Sequence, residues 1–201
     1  MKAAIILKNA YLNNFNKNDY DIVIGADRGA YFAISNNINP DISIGDFDSV
    51  NDSEFELIKK NSKKIIKLNP IKDESDTHEA IELVKDYDKI IIFGGIKGKR
   101  IEHLFANIID LINHKNLSMI DENSLIETVN DNNYVINKDY KFISLYSLDN
   151  ESIISLEGFK YNLNNYHLKY NDPLCLSNEI INNPKINLIK GRLLIIYSHG
   201  D

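Results

Sequence analysis

Aspartates that close short apolar runs are the residues of this chain whose types and spacing could do chemistry. Gly45-Asp46-Phe47-Asp48-Ser49 ends the run Ile42-Ser43-Ile44. On an extended segment side chains alternate, so Asp46 and Asp48 point one way and Phe47 points back into the protein. Two hard oxygen donors on one side suit a magnesium ion that also binds phosphates. A polar turn with solvated carboxylates is the other reading of the same five residues. Lys72-Asp73-Glu74-Ser75-Asp76 is a second acidic segment. As a helix start it is self-explanatory, because Ser75 can cap and the acidic residues complement the dipole. Asp73 and Asp76, three residues apart, can also face one site. If they converge with Asp27, Asp46 and Asp48, each pair at about 5 Å repels by roughly 3 kcal/mol at an effective dielectric of about 20. Such a cluster makes sense where divalent cations or a cationic substrate offset it.

A basic counterpart follows at Gly94-Gly95-Ile96-Lys97-Gly98-Lys99-Arg100-Ile101-Glu102-His103. Glycines let backbone amides approach a phosphate, and a helix N-terminus favours an anion. Lys97, Lys99 and Arg100 supply positive charge, and Arg100 can grip phosphate oxygens in bidentate fashion. The segment matches neither GxxxxGK[ST] nor GxGxxG, and a lysine-rich surface turn is its rival reading. His103 reads as a hydrogen-bonded structural residue rather than a general base. Carboxylates for magnesium beside a glycine-basic loop point to nucleotide-dependent phosphoryl transfer, driven by positioning and charge neutralisation.

These residues need a scaffold, and the hydrophobic pattern supplies one. Apolar runs at residues 3–7, 22–24, 42–44, 65–68, 89–93 and 117–120 alternate with helical stretches. Asp52 or Ser53 could cap one helix and Ser75 or Asp76 the next; the last helix of the series spans about residues 102–113. Such alternation predicts an α/β fold, a mostly parallel sheet with helices on both faces. Ligands of such sheets bind outside the carboxyl ends of the strands, which brings Asp27, Asp46, Asp48 and the glycine-basic loop to one edge. From Ser124 the rhythm changes. Strand-like runs at 125–129, 134–136, 140–145, 152–156, 166–170, 186–189 and 192–197 are separated by Asn, Asp, Gly and Pro. They predict a C-terminal antiparallel β-sandwich or barrel. The expected domains are residues 1–121 and 122–201, joined at Asp121-Glu122-Asn123 without a flexible linker.

Composition narrows the function classes. The 201 residues carry a formal net charge of −6, which argues against a general nucleic-acid binder. One cysteine, Cys175, excludes an internal disulfide framework and a multi-cysteine zinc site, and reads as a small core hydrophobe. The opening run Ala3-Ala4-Ile5-Ile6-Leu7 is too short for a signal peptide. No apolar run approaches the roughly 18 residues of a membrane span. The expectation is a soluble, cytoplasmic protein with neither membrane nor nucleic-acid partners.

In their order along the chain, these motifs resemble the thiamine pyrophosphokinase family. The resemblance rests on Ala26-Asp27-Arg28-Gly29, Gly45-Asp46-Phe47-Asp48-Ser49, Lys72-Asp73-Glu74-Ser75-Asp76 and Gly98-Lys99-Arg100-Ile101-Glu102-His103. It continues through Gly158-Phe159-Lys160-Tyr161-Asn162-Leu163 and Leu176-Ser177-Asn178-Glu179, and so covers almost the whole chain. The family implies an N-terminal α/β ATP-binding catalytic domain, a C-terminal β-sandwich that binds thiamine, and a homodimer with the active site at the subunit interface. It also implies magnesium as cofactor and ATP as co-substrate, with transfer of a pyrophosphoryl group to the hydroxyl of thiamine, giving thiamine diphosphate and AMP. By resemblance Asp46, Asp48 and Asp73 bind the metal, Asp76 supports them, and Asp73 also faces thiamine. Asp27, Arg28, Lys72, Lys99, Arg100 and His103 fall to ATP, and Ser177 and Asn178 to thiamine. Lys99 interrupts the usual glycine pair, Glu102 stands where aspartate is common, and Ser75 where threonine is usual. The alternatives are a pyrophosphokinase acting on another hydroxymethyl or hydroxyethyl substrate such as a pterin, and a non-catalytic nucleotide or thiamine sensor.

Overall fold

The computed structural model describes residues 1–71, 74–98, 100–132 and 134–200. Among them are twelve strands and four α-helices, in two compact units: Met1–Asp110 with Asn116–Asp121, and Leu111–Lys115 with Glu122–Asp201. The first unit holds β1 (Lys2–Ile6), β2 (Ile22–Ala26), β3 (Ile42–Gly45), β4 (Lys64–Lys67), β5 (Lys89–Phe93) and β6 (Leu117–Ile120). All neighbours are parallel, in the order β6-β5-β1-β2-β3-β4. Ile6 lies opposite both Gly25 and Phe93, and Ala26 lies opposite Ile44, so the carboxyl ends of β1, β2, β3 and β5 come out level. Ala3, Ala4, Ile5 and Ile6 are each fully buried. Consecutive residues point to opposite faces, so both faces of β1 are covered, which is why the run is apolar throughout rather than alternating. β4 closes one side with Lys64 and Lys67 exposed, a charged edge that discourages further strand pairing.

The helices are placed by caps and close packing. On α1 (Arg28–Ser35), Ala33 packs with Ala4, Ile6 and Val23. Gly29 makes this approach possible, since a Cβ there would sit 2.2 Å from the Ile6 carbonyl oxygen. For α2 (Asp52–Asn61) the expected caps were Asp52 or Ser53, but the helix is capped one residue earlier. The Asn51 side chain accepts the Glu54 N–H at 2.9 Å, and Glu54 returns the bond to the Asn51 N–H at 3.0 Å. That reciprocal Glu, three residues on, is what selects Asn51 among several competent caps. In α3 (Asp76–Glu82) Ser75 caps as expected, its hydroxyl accepting the His78 N–H at 3.1 Å. α4 (Ile101–Asn113) follows the glycine-basic segment. Among the described residues no helix is long and apolar enough to cross a membrane.

The second unit is antiparallel, with β7 (Ser124–Val129), β8 (Phe142–Ser147), β9 (Glu151–Phe159), β10 (Leu163–Lys169), β11 (Asn178–Lys190) and β12 (Leu193–Ser198) in the order β10-β9-β11-β8-β12-β7. One apolar core collects Val129, Ile143, Leu145, Ile154, Leu156, Leu168, Leu188 and Ile195 from all six strands. Two expectations fail locally. Residues 134–136 are not a strand; the Tyr134 hydroxyl donates to Glu127 and meets the Tyr197 hydroxyl at 2.6 Å, so side chains rather than a ladder hold them. β11 runs through the polar stretch 181–185, where turn residues predict a break. Its pairing with β9 shifts register between Ile180 and Lys185, with Asn183 at φ 46° and Pro184 inside the bulge. Bulges tolerate proline because the ladder is already interrupted there.

Candidate active site

An acidic cluster forms where β2 and β3 end and α3 begins. Asp27, Asp46 and Asp76 each place a carboxylate oxygen within 4.8 Å of the others, and all three are half-buried. Asp27 sits in a backbone conformation rare for a side-chain-bearing residue, φ 48° and ψ −125°. Its N–H donates to the Ile44 carbonyl at 2.7 Å, drawing the end of β2 against β3. Gly45 allows this, because a Cβ there would lie 2.9 Å from the Asp27 Cα. The Ser49 hydroxyl donates to Asp27 Oδ2 at 2.7 Å. Asp27 Oδ1 is buried with no hydrogen-bond partner among the described residues. An unpartnered buried carboxylate oxygen costs free energy unless a cation completes it. Three hard oxygen donors, one of them orphaned, fit a magnesium ion.

The Gly45-to-Ser49 segment is a turn, not an extended strand end. Phe47 has φ 61°, and the Asp48 N–H donates to Asp46 Oδ1 at 3.0 Å, closing an Asx-turn. Phe47 is buried as expected, 5.0 Å from the Phe55 ring centre. Side-chain alternation does not hold through a left-handed residue, so Asp46 joins the cluster while Asp48 is exposed beside it. The Asp48 carboxyl is still pushed up, first by the Asp46 charge, then by burial and by Asp27 and Asp76. Asp48 therefore stands in the same negative field. Asp73, Lys72 and Lys99 lie outside the described residues.

The expected cations divide into two kinds. The Arg28 guanidinium donates to the Ser49 carbonyl and to Glu54 Oε1 at 2.8 Å, tying the turn to the head of α2. Arg100 is 69 % exposed, and among the described residues its charge partner is the equally exposed Glu102 at 3.7 Å. Exposed pairs of this kind hold little free energy, so Arg100 can turn to a ligand anion. Lys97 lies 3.7 Å from Asp121, and His103 is exposed on the first turn of α4 with its N–H on the Arg100 carbonyl at 3.2 Å.

Two polar contacts were not anticipated. His78 Nδ1 donates to Asp110 Oδ1 at 2.7 Å, and this bond pushes the His78 pKa up against the opposing effect of burial. The Asn107 amide donates to the Gly95 carbonyl at 3.2 Å. Asn107 and Asp110 are polar residues three apart inside the apolar stretch Leu104-Phe105-Ala106-Asn107-Ile108-Ile109-Asp110-Leu111, and that contrast was the available signal.

In the second unit Ser177 is exposed at φ 49°, its N–H on the Ser144 hydroxyl at 3.0 Å. Asn178 is buried, and both ends of its amide bond the backbone of Tyr161: Oδ1 accepts the N–H at 3.0 Å and Nδ2 donates to the carbonyl at 2.7 Å. Asn178 thus shapes the strand end that presents Ser177 and Tyr161.

A parallel sheet with acidic side chains grouped at its carboxyl edge defines an α/β enzyme whose site attracts cations. Comparison with known proteins makes the assignment particular. A family model for the thiamin pyrophosphokinase catalytic domain matches residues 14–120, and one for the thiamin pyrophosphokinase vitamin B1 binding domain matches residues 133–193. The thiamine pyrophosphokinase of Bacillus subtilis (strain 168) is 32% identical over 190 residues, covering 90% of this chain and 88% of the relative. The crystal structure of the Bacillus subtilis thiamine pyrophosphokinase superposes with a TM-score of 0.87 at 29% identity, over 98% of this chain and 99% of that one. The thiamin pyrophosphokinase from Geobacillus thermodenitrificans shares the fold, with a TM-score of 0.86 at 24% identity over 100% and 98% of the two chains. The chain belongs to the thiamin pyrophosphokinase family.

Proposed function

We infer that the chain is a thiamine pyrophosphokinase, which moves the pyrophosphoryl group of ATP to the hydroxyl of thiamine and releases AMP. The observation that carries this reading is the family match to both parts of the chain, together with three aspartates gathered within 4.8 Å. Residues 1–121 are read as the ATP-binding catalytic domain and 122–201 as a β-sandwich that binds thiamine.

Asp27, Asp46 and Asp76 would hold magnesium, with Asp48 exposed beside them; a metal role for Asp73 rests on the family resemblance alone. When bound, the ion withdraws charge from the polyphosphate and so eases attack at the β-phosphorus. Arg100, with Lys72 and Lys99, binds phosphate oxygens as a guanidinium and two ammonium groups can. Arg28 acts through the Ser49 turn, holding Asp46 and Asp27 in place, and His103 lies beside the phosphate-binding loop. The carboxylates also favour the permanently cationic thiazolium of thiamine, a selection a neutral acceptor such as a pterin would not enjoy. Ser177 offers a hydroxyl to the aminopyrimidine, and Asn178 fixes the strand end that carries it. A homodimer belongs to the same reading, because Leu174, Leu176 and Tyr161 stand exposed near Ser177 in sequence or by contact and a second copy would cover them.

Incubation with ATP, magnesium and thiamine, followed by product identification, tests the reading. AMP and thiamine diphosphate in equal amounts are expected. ADP as product, or turnover of a pterin in preference to thiamine, would overturn it. Thiamine or ATP binding without AMP would instead identify a sensor.

A further inference from the structure

The buried polar face of α4 touches the site at two points. Asn107 is 4% exposed and holds the Gly95 carbonyl at 3.2 Å. One turn further on, Asp110 is 7% exposed and holds the His78 ring at 2.7 Å. Residues three apart share one face of a helix, so a single rigid ridge grips both the glycine-basic loop and α3. His78 in turn is bound into the head of α3, its N–H on the Ser75 cap at 3.1 Å. It follows Asp76 by two residues, about 200° around the helix axis. The ring therefore anchors α3 from one side while Asp76 faces Asp27 and Asp46 from the other. α3 has only seven residues, and a helix that short takes its orientation from such tertiary contacts rather than from its own stability. Asp110 leaves a buried carboxylate unpaired if the ring is removed, so the contact is tightly specified.

We propose that His78, Asp110 and Asn107 are positioning residues that set the distance between the phosphate-binding loop and the carboxylate of Asp76. This rests on the reading of Asp27, Asp46 and Asp76 as a cation site. The ridge fixes where Asp76 can meet the cation and where the loop meets the phosphates. The three act through α3 and the Gly95 carbonyl rather than on the substrate itself.

The test uses the full chain and manganous ion as a spectroscopic probe of the cation site. His78→Ala should weaken manganese affinity about tenfold by electron paramagnetic resonance titration and lower kcat by about ten- to one hundredfold, the range seen when a ligand's support is removed. At saturating metal the KM for thiamine should stay within about twofold, because the change alters the metal and phosphate geometry and not the proposed thiamine contacts at Ser177 and Asn178. His78→Gln can still donate to Asp110 and should recover most of both losses. Asp110→Asn, a milder change, should shift both readouts the same way. His78→Ala combined with Asp110→Ala should be no worse than the poorer single variant, because the two act as a unit. Variants with wild-type manganese affinity and kcat but a lowered melting temperature would overturn the proposal, leaving the pair a stability feature. Independent, additive losses would overturn it too. Absence of manganese binding by the unaltered chain would instead remove the cation-site reading and this proposal with it.

Discussion

Asp46 shows how function and stability oppose each other at a single residue. At separations up to 4.8 Å, two carboxylates repel by about 3 kcal/mol at an effective dielectric of about 20. Asp46→Asn keeps an Oδ1 acceptor for the Asp48 N–H and removes one charge from the group. The variant should melt no lower than the unaltered chain without magnesium, and should lose the rise in melting temperature that magnesium gives. Turnover should fall by at least about 100-fold, the loss that follows removal of one preorganised electrostatic contact. Calorimetry with and without magnesium, beside the AMP assay, checks both halves. An unchanged rate, or an unchanged magnesium effect, would sink the assignment. Asp27, Asp46 and Asp48 were legible in the sequence as residues at strand ends, and Asp76 as one at a helix start. What was not legible was which of them meet. Asp46 turns inward and Asp48 outward because Phe47 is left-handed, and no residue-type rule puts a phenylalanine in that conformation. His78 was hidden for a related reason: its partner Asp110 lies 32 residues away on another helix.

Elements were easier to read than contacts between them. The six apolar runs of the first half became β1 to β6, the central ones because strands buried on both faces leave an unbroken hydrophobic signature, and the edge strand β4 through Ile65 and Ile66 alone. The pairing of β2 with β3, which brings Asp27 to Asp46, leaves none. Part of that pairing is carried by Asp41, just before β3. Its carboxylate accepts the Val23 N–H at 2.8 Å, Lys63 at 2.8 Å and Lys17 at 3.1 Å. Burial pushes its pKa up, but the bonds from Lys63, Val23 and Lys17 outweigh this and hold it below 3.8. A depressed carboxylate stabilises the fold above its unfolded pKa and loses that contribution as pH falls through the folded value. Asp41→Asn should therefore cost about 1–3 kcal/mol near pH 7. The difference from the unaltered chain should shrink as the pH falls below 3.8. Urea melts across that range decide it, and a cost that does not depend on pH would show that the charge is irrelevant. Gly45 gives a second check on the same pairing. Gly45→Ala would press a Cβ to 2.9 Å from the Asp27 Cα. It should weaken magnesium binding more than it lowers the melting temperature, and intact magnesium affinity would show that Asp27 does not need this approach.

At the scale of the whole molecule, the thiamin pyrophosphokinase catalytic-domain model matches residues 14–120 and the vitamin B1 binding-domain model matches residues 133–193. The sequence exposed that division through a change of rhythm at residue 124, from continuous apolar strands with helices to short strands with polar turns. It overlooked the continuity of β11 through Pro184, since a bulge and a turn use the same residues. If two copies form each active site, with Asp46 from one subunit and Ser177 from the other, defects in the two regions must complement. Asp46→Asn and Ser177→Tyr should each be inactive alone, the first for want of a cation ligand and the second because a large side chain fills the thiamine contact. Mixed and allowed to exchange subunits, they should form heterodimers in which one site carries both defects and the other carries neither. Random pairing then restores about a quarter of the unaltered activity, since half the dimers are mixed and each has one intact site. Light scattering should give a particle of twice 23.0 kDa throughout. Recovery near that level requires a site built from two subunits, because no rearrangement within one chain can remove both substitutions. A dimeric mixture that exchanges subunits yet stays inactive would place Asp46 and Ser177 of each working site in the same chain.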